Sequence, residues 1–351
     1  MTPGSVASLP PPPRRRLRNV ESQSRNEDTV KSEGTAAPLE EGFEPPPSVS
    51  SAPPPRKSRP AGKAALLQAR KLRSFAAHCR SSPFPSFPRP TRRECSLAHG
   101  ILASIHGERR RPDAVAAPSA AAGCGDSPSV LDALVRTILS QNTSDKNSAR
   151  AKLSMDKAYG GSDNWEAIVQ GGTERLRQTI RCGGLGVVKS KAIMSTLRRT
   201  RARYGTYSLD HLLGASNDSA MRELLSFQGV GPKTASCVLL FCLRRDSFAV
   251  DTHVHRISGL LGWRPAGATR EETQAHLEAR VPDEDKYGLH VLMVTHGKTC
   301  GECKAGGRET GRCALRRAFL RRDGADDARA EDEAKPAAAD EDDEEKAQGY
   351  H

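Results

Sequence analysis

Apolar residues recur at helical spacing through most of the middle of this chain. One predicted helix carries them on a single face, at Leu131, Leu134, Val135 and Ile138. Further helical segments are predicted at residues 93–106, 165–169, 173–181 and 187–203, with glycine-rich turns between the later ones. No convincing alternation of apolar and polar residues indicates a strand, so the sequence predicts an all-α fold.

Ser127 and Pro128 predict the start of the helix that contains Leu131. A serine side chain can cap the free N–H groups of a helix, and proline suits the first helical position because it has no N–H to leave unpaired. The pattern ends in the polar run LSQNTSD at residues 139–145.

Two helical patterns, residues 221–225 and 235–242, flank the tight turn Gly229-Val230-Gly231. Pro232 is expected to be the first residue of the second helix. The two glycines permit positive φ angles and a close approach of another backbone. The sequence therefore predicts a helix-hairpin-helix whose exposed helix start binds phosphate, with this turn and Thr234 next to nucleic acid.

Lys233 falls in the first turn of the second hairpin helix, where a positive charge opposes the helix dipole. Stability alone does not favour a lysine there, so it is either a phosphate contact or a reactive amine. Asp251 comes directly before the next helical pattern, where it is either a capping residue or a functional carboxylate.

The motifs GVGPKTA at residues 229–235 and VDTHVHR at residues 250–256 resemble the helix-hairpin-helix DNA glycosylases of the endonuclease III family. The resemblance covers residues 92–315 and includes plant-type members of the family. It implies two helical subdomains with a DNA cleft between them, the HhH-GPD fold. It also implies that Lys233 and Asp251 are the catalytic pair.

Two other segments extend the resemblance. LVRTILSQNTSDKNSARA is similar to the family helix that ends in S-Q-x-T, which implies that Gln141 fills the gap left by a flipped-out base; the alternative is a polar helix end. IRCGGLGVVKSKAIMSTL resembles the family stretch G-L-x-x-x-K-A, which implies that Gly184, Lys189 and Lys191 meet the DNA backbone. The alternative for the two lysines is a solvated basic face.

Cys300, Cys303 and Cys313 follow the pair His296-Gly297. Family members of the bacterial type hold a [4Fe-4S] cluster with four cysteines spaced C-x6-C-x2-C-x5-C, but here one cysteine ligand is missing and the second gap is nine residues. A C-x2-C pair with a nearby histidine is also acceptable spacing for zinc, with His296 as the fourth ligand. An iron–sulfur cluster, zinc and no metal all stay open.

Charge divides the chain of 351 residues into three parts. The net charge is +12 and the pI about 9.4, which favours a polyanionic partner. Residues 1–91 form a basic Pro-, Ser- and Arg-rich tail that is expected to be disordered, and residues 323–351 form an acidic one. Residues 92–322 are expected to fold as the glycosylase domain, since most of the basic excess lies there.

The N-terminal tail also suggests a compartment. Basic clusters at residues 14–18 and 56–59 are typical of nuclear import signals, and nucleus is the expectation. The first 20 residues contain several arginines and no acid, so a mitochondrial or chloroplast transit peptide is the alternative. Nine cysteines, unevenly spread, favour reduced thiols over a secreted disulfide framework. No apolar run indicates a membrane span.

The resemblance implies a bifunctional DNA glycosylase and AP lyase of base-excision repair. It would act on double-stranded DNA with damaged bases, oxidised pyrimidines above all, or with abasic sites. One alternative is an enzyme that excises 5-methylcytosine, as some plant relatives do. The other is a non-catalytic DNA-binding protein that has kept the fold.

Overall fold

The computed structural model describes residues 62–79, 81–113 and 127–320. Within these ranges the regular elements are helices and no strand occurs, so the all-α prediction is confirmed. The α-helices are α1 Lys63–His78, α2 Arg92–His106, α3 Val130–Ser140, α4 Asp145–Tyr159, α5 Trp165–Thr179, α6 Gly186–Tyr204, α7 Asn217–Leu225, α8 Pro232–Cys237, α9 Thr252–Leu260, α10 Arg270–Arg280, α11 Asp283–Thr299 and α12 Ala314–Leu320. Of these described helices, none is both long enough and apolar enough to cross a bilayer.

The helices form two lobes, each with its own apolar core. The central lobe consists of α3 to α8, and its buried core includes Leu134, Ile193 and Leu224. The terminal lobe combines α2 with α9 to α12 around residues such as Leu102 and Trp263. Helix α2 packs against α11, so the terminal lobe contains chain from both sides of the central lobe. The prediction of two helical subdomains is confirmed.

Polar side chains cap several helix starts, but the cap predicted for α3 is wrong. Ser129, not Ser127, is its N-cap and accepts a hydrogen bond from the backbone N–H of Asp132. Ser127 instead donates to the carboxylate of Asp132, and Pro128 lies before the helix. The sequence S-P-S contains two serines, and the second one directly precedes Val130, the first apolar residue of the helix.

The hairpin joins α7 to α8 and is built as predicted. Pro232 is the first residue of α8. Gly229 has φ +81°, and a Cβ atom there would lie 2.8 Å from the Cβ of Ala192 on α6. Gly231 has φ −107°, so of the two glycines that permit a positive φ, Gly229 is the one that adopts it. A Cβ at Gly231 would meet only open space, which leaves its backbone approachable from outside.

The second hairpin helix changes its winding after one and a half turns. Residues Val238–Cys242 form a π-helix, in which the N–H of Leu243 donates to the carbonyl of Val238 at 3.0 Å. Val238, Leu239 and Cys242 are nevertheless buried, as the apolar pattern predicted. The wider turn brings in one extra residue per turn without exposing the apolar face.

Helix α1 and the loop after it show that the folded domain begins before residue 92, its predicted start. Residues 62–91 were assigned to the tail, but Leu72 and Phe75 pack against the central core and Lys71 Nζ donates to the Val230 carbonyl at 3.0 Å. In the following loop, Ser82 lies 2.6 Å from Nδ1 of His276 on α10. The apolar stretch of α1 is too short to fold alone, but it is sufficient to dock on an existing lobe. The import-type clusters and the acidic tail lie outside the described residues and stay predictions.

We expect Leu72→Ala to lower the free energy of unfolding by about 1–2 kcal/mol, because it removes half-buried methyl groups from the contact between α1 and the central lobe. Leu66→Ala on the same helix is the matched control, since Leu66 is 58% exposed. Urea denaturation of both variants measures the difference. Equal stability of the two variants would show that α1 does not contribute to the folded domain.

Candidate functional site

A cleft of about 760 Å³ opens between the two lobes. The central lobe lines it with the loop after α3 and with the hairpin turn and first residues of α8. The terminal lobe lines it with residues 250–253 and with parts of α10 and α11. Six of the ten predicted catalytic and DNA-binding residues meet here: Gln141, Gly229, Gly231, Lys233, Thr234 and Asp251.

Lys233 enters this cleft from the central lobe. It is the second residue of α8, directly after Pro232, and its side chain is half-buried. The glycine turn and the proline fix the start of α8, so the direction in which Lys233 leaves the helix follows from the hairpin. The structure thus places an amine at the cleft surface, one of the two groups that the motif predicts.

Asp251 enters the same cleft from the terminal lobe. It is the N-cap of α9, and its Oδ1 atom accepts hydrogen bonds from the N–H groups of His253 and Val254, both at 2.8 Å. The capping interpretation is therefore correct in geometry. It does not compete with a chemical role, because the cap holds a carboxylate in a fixed position at the cleft wall.

Gln141 lies at the end of α3, beside the hairpin. Its Nε2 atom donates to the Gly229 carbonyl at 3.1 Å and to Thr234 Oγ1 at 2.9 Å. Asn142, the next residue, has φ +47°, which turns the chain sharply at the cleft edge. Thr234 is almost fully buried, and its hydroxyl holds the Gln141 side chain in place.

The segment 183–191 contradicts one predicted DNA contact. Lys189 is 2% exposed, and its Nζ donates to the carbonyls of Leu139 and Gly183 at 2.7 and 2.9 Å. Burial lowers the pKa of Lys189 to about 8. Its predicted contact with the DNA backbone is wrong, because the amine joins the end of α3 to the turn before α6. Lys191 is exposed, as that prediction requires.

The predicted contact of Val230 with nucleic acid is also wrong, since its side chain is completely buried in the central core and cannot touch a ligand. Gly184, in contrast, is exposed with φ +66°, and a Cβ there would lie 3.4 Å from Thr143 Oγ1. The turn at Gly184 therefore lies against the loop that carries Gln141. Next to it, Leu185, Val187 and Val188 form an exposed apolar patch that the sequence analysis did not single out. The sequence signal for this patch is the run of apolar residues, interrupted by one glycine, that follows the double glycine.

Two groups of polar residues near the cleft were also not foreseen. In the wall, His290 is buried and its ring Nδ1 lies 2.8 Å from the Ala249 carbonyl, while Gln274 accepts from the N–H of Val250. On α6, Arg198 and Arg199 extend the basic face of Lys191 towards the hairpin. Hydropathy does not distinguish such residues, since isolated polar residues on helices are common.

A candidate metal centre lies in the terminal lobe, and none of its four residues is among those that line the cleft. His296, Cys300, Cys303 and Cys313 place their ligand atoms within 4.8 Å of one another. His296 thus supplies the fourth possible ligand atom, where the bacterial family members use a cysteine. The hydrogen bond with Cys303 and the neighbouring His296 lower the pKa of Cys313, which favours the thiolate that metals bind.

Residues 135–283 match the model of the HhH-GPD superfamily of base excision DNA repair proteins. A candidate DNA glycosylase of Arabidopsis thaliana is 38% identical over 241 residues, which cover 64% of this chain and 81% of the relative. Endonuclease III of Thermotoga maritima is 34% identical over 179 residues, covering 48% of this chain and 78% of that enzyme. The DNA glycosylase/AP lyase ROS1 of Arabidopsis thaliana is 32% identical over 152 residues, but these span only 11% of ROS1.

The fold agrees with these relatives. The structure of a non-covalent endonuclease III–DNA complex matches with a TM-score of 0.51 at 22% identity, over 66% of this chain and 99% of that chain. The chain therefore belongs to the HhH-GPD superfamily of base excision DNA repair proteins. Within that superfamily it groups with the DNA glycosylases related to endonuclease III and to ROS1.

Two lysines two positions apart on α6 provide a matched test of the site description. We expect Lys189→Met to lower the free energy of unfolding by about 1–3 kcal/mol, because the Leu139 and Gly183 carbonyls lose their buried donor. Lys191→Met should stay within about 0.5 kcal/mol of the parent, because Lys191 is exposed. Urea denaturation compares them, and equal effects would contradict the structural role of Lys189.

Proposed function

We propose that this protein is a bifunctional DNA glycosylase and AP lyase that acts through Lys233 and Asp251. The observation that carries the proposal is that an amine and a carboxylate from different lobes line one cleft. Each is held by a feature of local structure, the hairpin for Lys233 and the start of α9 for Asp251. Binding to DNA alone does not require a carboxylate in the cleft, since a carboxylate repels phosphate.

The chemistry follows from these two groups. The target base is flipped into the cleft, and Asp251 stabilises the positive charge that develops on the sugar as the bond from C1′ to the base nitrogen lengthens. The neutral amine of Lys233 attacks C1′ while the base leaves with the bonding electrons and takes up a proton. The nitrogen then gives up one proton, and transfer of a proton to the ring oxygen opens the sugar, which leaves a protonated Schiff base between Nζ and C1′. Removal of a C2′ proton breaks the C3′–O bond and cuts the strand.

The surface around the cleft supports duplex DNA as the partner. Lys191, Arg198 and Arg199 present positive charge on α6 beside the hairpin, and such residues bind phosphate. The exposed patch that begins at Leu185 offers apolar side chains of the kind that insert between base steps. Gln141 lies between these two surfaces and the cleft, where it can occupy the space of a flipped base once it leaves the hairpin.

Oxidised pyrimidines are the substrate that we propose, on the likeness to endonuclease III. The wall residues His290 and Gln274 carry ring nitrogens and an amide that can hydrogen-bond to a base edge. The resemblance to plant family members that excise 5-methylcytosine makes that base the second candidate. The basic clusters of the N-terminal tail lead us to propose the nucleus as the compartment.

Borohydride trapping tests the nucleophile. With duplexes that carry thymine glycol, 5-methylcytosine or an abasic site, we expect a covalent adduct with the parent chain and none with Lys233→Gln, because only a primary amine forms the imine. Lys298→Gln is the matched control, since Lys298 lines the same cleft and pairs with Asp145 at 2.7 Å. The duplex that traps best identifies the substrate class.

An adduct that persists in Lys233→Gln would show that another amine is the nucleophile. Loss of the adduct in both variants would show that Lys298 is also required, or that either substitution disrupts the cleft. If the parent forms no adduct yet binds lesion and intact duplexes equally, the protein is a non-catalytic DNA-binding member of the superfamily. Base release without an adduct would indicate a glycosylase that uses water.

Asp251→Asn separates the cap from the chemistry. Asparagine keeps an oxygen that accepts from His253 and Val254, so the melting temperature should stay close to the parent value. Base release should slow by roughly 10²- to 10⁴-fold, because the negative charge is lost. Asp251→Ala should lose the same activity and also about 1 kcal/mol of stability. Full activity of the asparagine variant would limit Asp251 to capping.

A further inference from the structure

We propose that Cys300, Cys303, Cys313 and His296 bind one structural zinc ion in the place where endonuclease III-type relatives carry an iron–sulfur cluster. The four residues come from the end of α11, the loop after it and the residue that precedes α12. Three of them are buried and Cys300 is half-buried. Such a group of one imidazole and three thiols has no role in the chemistry at the cleft.

The separations between the ligand atoms fit a single tetrahedral ion. Zinc binds sulfur at about 2.3 Å and nitrogen at about 2.0–2.1 Å, so a tetrahedral site holds two sulfurs roughly 3.8 Å apart and a sulfur and a nitrogen roughly 3.5 Å apart. The Sγ atoms of Cys303 and Cys313 are 3.8 Å apart, and Cys313 Sγ is 3.4 Å from His296 Nε2. All pairs among the four lie within 4.8 Å.

The same separations do not fit a [4Fe-4S] cluster. Each protein ligand of such a cluster binds a different iron, so the ligand atoms must lie at the outer corners of the cluster, with the whole cube between them. Here the ligand atoms are about as close as ligands that share one ion. The donor set agrees, because four-iron clusters are held by four cysteine thiolates and this site has three.

The surroundings orient His296 as a metal ligand. Its Nδ1 atom lies 2.9 Å from Nε2 of His106 at the end of α2, which leaves Nε2 directed at Cys313. A hydrogen bond to the ring nitrogen that does not bind the metal fixes the ring and the tautomer of metal-binding histidines. Glu302 shapes the loop between the cysteines, since its Oε1 accepts from the N–H groups of Arg312 and Cys313 at 2.7 and 2.9 Å.

The centre is closed and structural. Four protein ligands complete a zinc tetrahedron and leave no position for water or substrate. Arg256 links it to the helix that Asp251 caps: its Nε donates to the Cys303 carbonyl at 2.7 Å and its Nη2 to the Gly297 carbonyl at 3.0 Å. A bound ion would therefore hold α2, α9, α11 and α12 together within the terminal lobe.

Metal analysis of the purified full chain tests the proposal, whether or not the protein is active on DNA. We expect one zinc ion per chain by mass spectrometry and only traces of iron. Protein produced in cobalt-supplemented medium should show the visible bands of tetrahedral Co²⁺ with thiolate ligands. Cys313→Ala and Cys300→Ala should each lower the zinc content by about tenfold or more, and Cys79→Ser, outside the cluster, should leave it unchanged.

Several results would overturn the assignment. About four irons with acid-labile sulfide per chain, from protein purified without oxygen, would show a cluster. Absence of metal from the chain, together with no cobalt bands, would show that the residues bind none. Because Cys313 is buried and its replacement also removes core packing, the half-buried Cys300 carries the test: zinc retained at the parent level in folded Cys300→Ala would remove Cys300 from the site.

His106 provides a test of the hydrogen bond that orients His296. We expect His106→Phe to bind zinc about 10–100-fold more weakly, measured by competition with a chelator, because the His296 ring loses the partner that orients it. His99→Phe on the same helix is the comparison, since His99 pairs with Asp285 and does not contact His296. Equal affinities in the two variants would remove His106 from the zinc site.

Discussion

The attachment of the turn at residues 229–231 is the constraint on which the cleft depends. The Gly229 carbonyl accepts from Gln141 and the Val230 carbonyl accepts from Lys71, so two backbone groups that a sharp turn would leave unpaired both have donors. The missing side chain of Gly229 lets the turn lie against Ala192 of α6. Since α8 begins at Pro232, directly after the turn, this attachment sets where Lys233 enters the cleft.

Local signals were sufficient for much of this architecture. The hairpin, the proline at the start of α8 and the cap at Asp251 each depend on a few neighbouring residues, whose backbone preferences are strong. The pairing of Lys233 with Asp251 came from the family resemblance, and the fold explains it by bringing two lobes to one cleft.

Long-range packing decided what the sequence could not predict. A lysine next to a glycine-rich turn looks exposed, but Lys189 is enclosed because the α3 end and the Gly183 turn both present carbonyls to it. Helix α1 has too little apolar surface to be predicted as part of a domain, and its order depends on a lobe that follows it by more than fifty residues. A zinc site with His296 as fourth ligand was one of three alternatives that the sequence left open. The fold brings His296 to three cysteines, one of them seventeen positions away.

The order in which the chain builds the two lobes has a mechanical consequence. Helix α1 packs on the central lobe, α2 belongs to the terminal lobe, α3 to α8 return to the central lobe, and α9 begins the terminal lobe again. The backbone therefore passes between the lobes three times, and a single cut by a protease would leave them joined by two covalent connections. A cut between α8 and α9 would put the two walls of the cleft on different fragments, but α2 would still attach the first fragment to the terminal lobe through its packing against α11.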